Sequence, residues 1–105
     1  MKKGDKCYIL VTCKGVNYNG YPVGKIRENK VISSGKKFTL VNEKDYFSGK
    51  NAHYPQFFTE TGDRNWTPKN VHDFDYDFYL ISEDDYIKNL DRNIFTFRNI
   101  KYIIR

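Results

Sequence analysis

Residues 73–81, DFDYDFYLI, have the most regular pattern in the chain. Three aspartates alternate with three aromatic residues at the start of this segment, and a period of two is typical of a strand with one polar and one apolar face. The segment therefore predicts a strand. Its acidic face consists of Asp73, Asp75 and Asp77.

Further strand-like segments occupy residues 6–13, 21–33, 37–42 and 94–104, and turn-forming residues separate them. The composition agrees with a β fold, because 39 of the 105 residues are Val, Ile, Thr, Phe, Tyr or Trp, whereas Ala occurs once and Leu four times. A chain of 105 residues has room for one domain. We therefore expect a single mostly-β domain over residues 1–105, built as a five- to six-stranded, strongly bent sheet.

One short helix is expected at residues 83–91. Ser82 and Asp85 resemble a capping box with Asp in place of the usual Glu, and acidic residues in the first turn suit the positive end of the helix dipole. A change of apolar parity around residues 98–99 predicts a turn or a bulge there. The helix residues expected to face the core are Tyr86, Ile87 and Leu90.

Residues 43–72 show neither period and contain four Gly or Pro residues, so they predict a long, aromatic-rich loop. Aromatic residues and Arg are enriched at the energetic centres of protein interfaces. The loop is therefore a candidate protein-binding surface, although the same aromatics could instead fold back and complete a small core. The candidate interface residues are Tyr54, Phe57, Phe58, Arg64 and Trp66.

The first part of the chain carries four short motifs in a characteristic order: KGDKCYI at residues 3–9, GKI at 24–26, KVI at 30–32 and FTLV at 38–41. Together they resemble a small SH3-like barrel, and the resemblance covers residues 3–45. It implies a bent barrel but no particular function, because this fold hosts many. In size and compositional bias the chain is also similar to small phage accessory proteins, some of which inhibit host defence systems.

Charge is distributed unevenly along the chain, with a net charge of +7 over residues 1–70, −6 over 71–91 and +4 over 92–105. Basic residues interleaved with tyrosines are typical of surfaces that bind phosphates and stack on bases. Only five of the 18 cations are Arg, and Lys also serves as an ordinary solvated residue. The candidate nucleic-acid-binding residues are Lys14, Tyr18, Tyr21, Lys25, Arg27, Lys36 and Lys37.

The acidic face has three interpretations: a solvated surface balanced by Lys and Arg of a neighbouring strand, a contact for a basic protein or a mimic of nucleic acid, and a divalent-metal site. Cations such as Ca²⁺ require several carboxylate oxygens to converge on one point. Asp side chains spaced along one strand diverge instead. We therefore expect no metal site.

The two histidines, His53 and His72, could act in acid–base catalysis, but no specific motif surrounds them. We expect no enzymatic activity and no cofactor. Cys7 and Cys13 would lie about 20 Å apart along one strand, too far for a disulfide, and are interpreted as buried thiols in a reducing cytoplasm. No apolar segment approaches the roughly 20 residues of a membrane-spanning helix, so we expect a cytoplasmic protein without membrane contact.

These features favour a non-enzymatic binding protein with a host protein as its partner: a phage-type inhibitor that occludes a host defence protein through residues 46–66. One alternative is a basic, nucleic-acid-binding SH3-like barrel. A further alternative is a binder, or sponge, of a nucleotide or another small ligand. Open strand edges would also allow a homo-oligomer.

Overall fold

The computed structural model describes residues 1–42, 55–66 and 76–105. These residues form nine strands and one short helix, which confirms the expected mostly-β fold with one short helix. In chain order the elements are β1 Lys6–Tyr18, β2 Tyr21–Ser34, β3 Phe38–Val41, β4 Gln56–Phe58, β5 Arg64–Trp66, β6 Tyr76–Ser82, α1 Glu83–Asn89, β7 Leu90–Asp91, β8 Ile94–Phe97 and β9 Ile100–Ile104.

Strand β1 lies at the centre of one mixed sheet. It pairs antiparallel with β2 along one edge and antiparallel with β6 along the other, so that Leu10 lies between Ile26 and Tyr79. The second edge of β2 is shared, because β3 pairs antiparallel beside Val31 and β9 pairs parallel beside Val23. Strands β4 and β5 continue the sheet from β3, and β8 and β7 continue it from β9.

The sheet is open, so the expected SH3-like barrel does not close over the described residues. The reason lies in β2, whose second edge is divided between β3 and β9, so that the sheet branches into two arms. One arm curls back toward β6 through an isolated bridge between Asp63 and Tyr79. There the Leu80 N–H donates a hydrogen bond to the Gly62 carbonyl oxygen at 2.9 Å.

Both faces of the first half of β1, residues 7–12, are buried, which explains the uninterrupted apolar run near the start of the chain. The arm formed by β3, β4 and β5 packs over one face, and α1 with the β8–β9 hairpin packs over the other. The first core consists of Cys7, Ile9, Val11, Val31, Val41, Phe57, Phe78 and Leu80. The second core consists of Tyr8, Leu10, Ile81, Phe95 and Tyr102, with partly buried neighbours that include Tyr86 and Leu90.

Helix α1 begins at the predicted position and ends two residues early. Leu90 has extended backbone angles and pairs with Phe95 in β7, so the helix stops at Asn89. Tyr86 stacks on Tyr8 with 3.8 Å between ring centroids. The expectation that Ile87 faces the core is wrong: Ile87 is exposed, because the short helix turns only the stripe around Tyr86 toward the sheet.

Two further predictions concern connections. The predicted turn near the end of the chain is present, and Arg98 and Asn99 both have positive φ angles between β8 and β9. The segment 43–72 is not a continuous loop, because residues 56–58 and 64–66 form the paired strands β4 and β5. Burial of Phe57 is the physical reason, since its backbone must then be hydrogen-bonded, and pairing with β3 achieves this.

Candidate functional site

The expected protein-interface residues do not form one exposed cluster among the described residues. Phe57 is 1% exposed in the first core and so offers no surface to a partner, which corrects its assignment to an interface. Phe58 is half-buried, with its ring 5.4 Å from that of Phe38. The Arg64 guanidinium lies 5.2 Å from the centre of the Phe78 ring.

The side chains of the two other expected interface residues, Trp66 and Tyr54, are not described. Trp66 ends β5 opposite Gln56, and only its backbone is described. Tyr54 lies outside the described residues, as do His53 and His72. The expected protein-binding surface is therefore divided between core positions, half-buried positions and positions outside the described ranges.

The expected nucleic-acid-binding residues divide into two groups. Lys14, Tyr18, Tyr21 and Lys25 lie on the outer half of the β1–β2 hairpin. Arg27 is half-buried further along β2. Lys36 and Lys37 lie at the β2–β3 turn, where they border a surface cavity of about 470 Å³ together with Phe58, Glu60, Thr61 and Asp63.

The tip of the β1–β2 hairpin brings two tyrosines together. Tyr18 and Tyr21 are directly paired, and directly opposed residues in an antiparallel pair project from the same face. Asn19 and Gly20 connect them with φ angles of 51° and 84°, as in a two-residue turn whose central residues both have positive φ. The tyrosines are 45% and 38% exposed, so both rings are available for contact.

A basic side chain joins the tyrosines from the end of β9. The Arg105 N–H donates a hydrogen bond to the Gly24 carbonyl oxygen at 3.0 Å, which holds Arg105 beside β2. Its guanidinium lies 4.4 Å from the centre of the Tyr18 ring. Val23 and Lys25 follow Tyr21 at alternate positions of β2 and so share its face. We call this surface the hairpin face; it consists of Tyr18, Tyr21, Val23, Lys25 and Arg105.

A large bulge interrupts β1 at the base of the hairpin. Thr12 pairs with Gly24 and Asn17 pairs with Pro22, so four residues of β1 stand opposite Val23 alone. A bulge of this kind bends its strand and redirects side chains away from the regular pattern. It leaves Lys14 and Val16 exposed.

The bulge borders a surface cavity of about 340 Å³, which we call the hairpin cavity. Among the described residues, the walls are mainly apolar, and Lys25 contributes a charged side chain. The cavity lies between β1, β2 and the start of β6. Its lining residues are Val11, Cys13, Val16, Val23, Gly24, Lys25 and Tyr76.

Charge differs between the two ends of β1. Among the described residues, the hairpin end carries Lys14, Lys25 and Arg105, and residues 13–26 and 103–105 contain no acidic side chain. The nearest part of β6 carries Asp77, which lies on the same side of the sheet as the second core, near Tyr79 and Tyr102. Burial, and then the Asp77 carboxylate, raises the pKa of both tyrosines.

The opposite end of β1 carries side chains of both charges. The Lys6 ammonium lies 3.9 Å from a Glu28 carboxylate oxygen and 3.8 Å from one of Glu83. Asp84 and Asp85 follow in the first turn of α1. Of the predicted acidic strand face, Asp77 is half-buried and opposite Thr12, whereas Asp73 and Asp75 lie outside the described residues.

The two cysteines differ in their surroundings. Burial raises the pKa of the Cys7 thiol from 9.0 to about 12, and the nearby Asp5 carboxylate adds to this effect. Cys7 therefore remains protonated at neutral pH and is a poor nucleophile. Cys13 is half-buried in the wall of the hairpin cavity. Within the described ranges, no group of three or more His, Cys, Asp or Glu residues could hold a metal ion.

Sequence reasoning identified the lysines and tyrosines of the hairpin but missed the cavity beside them. Val16, Val23 and Tyr76 come together only because the bulge in β1 exposes Val16 and because β6 begins opposite Cys13. Gly15 in the middle of an otherwise strand-like stretch was a signal for the bulge. The contact of Arg105 with Tyr18 joins residues far apart in sequence and had no local signal.

No family model matches the chain, and no curated protein or solved structure shows detectable similarity to it. Among the described residues, no helix is long and apolar enough to cross a membrane.

Proposed function

We propose that this protein is a non-enzymatic binding protein that holds nucleic acid on its hairpin face. The observation that carries the proposal is the exposed Tyr18–Tyr21 pair beside the basic side chains of Lys25 and Arg105, on a hairpin whose residues 13–26 include no acidic side chain. Exposed aromatic rings next to cations are the usual means of binding single-stranded nucleic acid.

Each part of the hairpin face has a definite role in this proposal. The two tyrosine rings stack on bases, and such contacts contribute about 1–3 kcal/mol per base. Lys25 neutralises phosphates and releases their counterions. Arg105 lies over one face of the Tyr18 ring and adds a second cation beside it. Because these contacts address phosphates and π-faces, we expect little dependence on base sequence.

Salt-dependent binding tests this function. We expect a fluorescent oligothymidine strand to bind the full chain, and Lys25→Glu to weaken its affinity roughly five-fold and to reduce the salt slope by about one between about 50 and 200 mM salt. Lys88→Glu is the matched control, since it makes the same charge change at an exposed position in the last turn of α1, outside the hairpin face.

Two outcomes of this measurement would contradict the proposal. One is the absence of binding at low salt. The other is an equal effect of Lys25→Glu and Lys88→Glu, because that would show a response to net charge alone. Tyr18→Ala should weaken binding at least as much as Lys25→Glu, without reducing the salt slope, since stacking releases no counterions.

A second candidate is the phage-type inhibitor that occludes a host protein. The observation in its favour is the surface around Phe38 and Phe58, where an aromatic pair lies beside Lys37 at the edge of the 470 Å³ cavity. A half-buried aromatic pair with mixed charges around it is typical of a protein contact. If this candidate is correct, the chain captures a host protein even after nuclease treatment. Phe58→Ala then abolishes this capture, whereas Lys25→Glu does not.

A further inference from the structure

The hairpin cavity lies directly beside the hairpin face and shares Val23 and Lys25 with it. It measures about 340 Å³, which is within the range of small-molecule sites, and its walls are aliphatic side chains and the ring of Tyr76. We propose that this cavity receives one unstacked base of a single-stranded nucleic acid whose neighbouring bases stack on Tyr18 and Tyr21. This inference rests on the proposed function.

The chemistry of the cavity fits a base. A nucleobase has apolar faces that suit Val11, Val16 and Val23, and an aromatic plane that can stack on Tyr76. Its sugar is attached to a phosphate, and Lys25 is the charged residue among the described residues that line the cavity. The cavity therefore offers an apolar interior to the base and a cation to the backbone.

The position of the cavity fits a strand that is already bound. Tyr21 and Lys25 are four residues apart on β2, which corresponds to about 13 Å along the strand, so a few nucleotides connect the stacking tyrosines to the cavity. Charge complementarity selects a polyanion for this end of the molecule, because the described hairpin residues carry cations and no acidic side chain.

This arrangement also predicts a preference for single strands. A base within a duplex must leave its stack and lose its pairing partner before it can enter a cavity, whereas a base in a single strand is free to do so. We therefore expect the full chain to bind oligothymidine at least ten-fold more tightly than a duplex containing the same strand.

A substitution that fills the cavity provides the direct test. Val16 is 43% exposed at the cavity, and Val16→Phe should occupy part of the space without disturbing either core. Ile100→Phe is the matched control, because Ile100 is 46% exposed on β9 away from the cavity. We expect Val16→Phe to weaken oligothymidine binding about ten-fold and Ile100→Phe to leave it unchanged, with both variants folded as judged by thermal unfolding.

An abasic strand of the same length tests whether Val16→Phe acts by excluding a base, because this strand has phosphates but no bases. It should bind weakly to the wild-type chain, and Val16→Phe should not weaken it further. The inference is overturned if Val16→Phe leaves oligothymidine binding intact or if the abasic strand binds as tightly as oligothymidine. It is also overturned if thymidine monophosphate binds as tightly as the strand, since the cavity would then bind a free nucleotide. Equal competition by polyglutamate would overturn it as well, since the surface would then bind an acidic peptide.

The outcomes distinguish this inference from the proposed function. If Lys25→Glu weakens binding and Val16→Phe does not, the hairpin face binds nucleic acid but the cavity is not used. If neither substitution changes the affinity, the hairpin face is not the binding surface and the proposed function fails as well.

Discussion

Gly62 shows how one residue determines where an arm of the sheet meets β6. Its φ angle is 79°, and a Cβ atom added there would lie 2.6 Å from the Leu80 carbonyl oxygen. The Gly62 N–H donates a hydrogen bond to the Phe58 carbonyl oxygen at 2.8 Å. The position thus requires glycine both for its backbone angle and for the close approach of the two chains.

We expect Gly62→Ala to lower the free energy of unfolding by about 2–3 kcal/mol, measured by urea denaturation. Gly20→Ala is the control, because Gly20 also has a positive φ angle but open space where the Cβ would lie. Gly20→Ala should lower the free energy of unfolding by about 1 kcal/mol, because it introduces backbone strain without a steric contact. Equal losses in the two variants would show that the contact with Leu80 has no energetic consequence.

Arg98 ties the same region to the end of the chain. Its guanidinium donates hydrogen bonds to the Thr61 carbonyl oxygen at 3.0 Å and to an Asp63 carboxylate oxygen at 2.9 Å, and it lies 4.7 Å from the centre of the Phe97 ring. Arg98 and Asp63 are both substantially exposed, so this ion pair contributes at most about 1 kcal/mol. Its importance is positional, since it connects the β8–β9 turn to the β4–β5 connection.

At the scale of elements, helix α1 depends on the residue that caps its N-terminus more than on its length. It has only seven residues, too few to be stable alone. Ser82 has extended backbone angles, and its hydroxyl oxygen accepts a hydrogen bond from the Asp85 N–H at 3.2 Å. The helix is therefore maintained by this cap and by the stacking of Tyr86 on Tyr8.

Removal of the cap should destabilise the protein by about 1 kcal/mol. We expect this loss for Ser82→Ala in chemical denaturation, because the Asp85 N–H then lacks its partner. Ser82→Asn should retain most of the stability, since Asn is an equally good capping residue and adds no charge beside Glu83. Comparable losses in both variants would mean that Ser82 acts through its pairing with Cys7 in the sheet rather than through the cap.

At the scale of the whole molecule, one strand supports two cores. Alternate residues of β1 contribute to opposite faces of the sheet, with Ile9 in the first core and Leu10 in the second. A disturbance of either core therefore removes contacts from the same strand. This shared strand should make the described parts of the molecule unfold together.

Core truncations test this coupling. Phe57→Ala in the first core and Phe95→Ala in the second should each lower the free energy of unfolding by about 3–5 kcal/mol, because both rings are fully buried. Each variant should show one transition by circular dichroism and by tyrosine fluorescence. Phe58→Ala should cost clearly less, since Phe58 is half-buried. Separate transitions by the two probes would show that the cores unfold independently.

The sequence by itself determined the local features of this protein. Alternation and apolar runs predicted strands at residues 6–13 and 73–81, and the structure has strands over Lys6–Tyr18 and, in the described part of the second segment, over Tyr76–Ser82. Ser82 predicted the helix start, and the parity change predicted the turn at Arg98 and Asn99. These features depend on the period of neighbouring side chains and on turn and capping chemistry, which operate within a few residues.

Only the tertiary structure decided which distant residues meet. Phe57 and Phe58 are adjacent and chemically identical, yet one is core and the other half-buried, because the pairing of β4 with β3 sets the face of each. The sheet remains open because β9 takes part of an edge of β2. Arg105 lies over Tyr18, and Tyr76 and Val16 line one cavity, through long-range strand pairings of this kind. No local pattern encodes these pairings, because strand register depends on partners far along the chain.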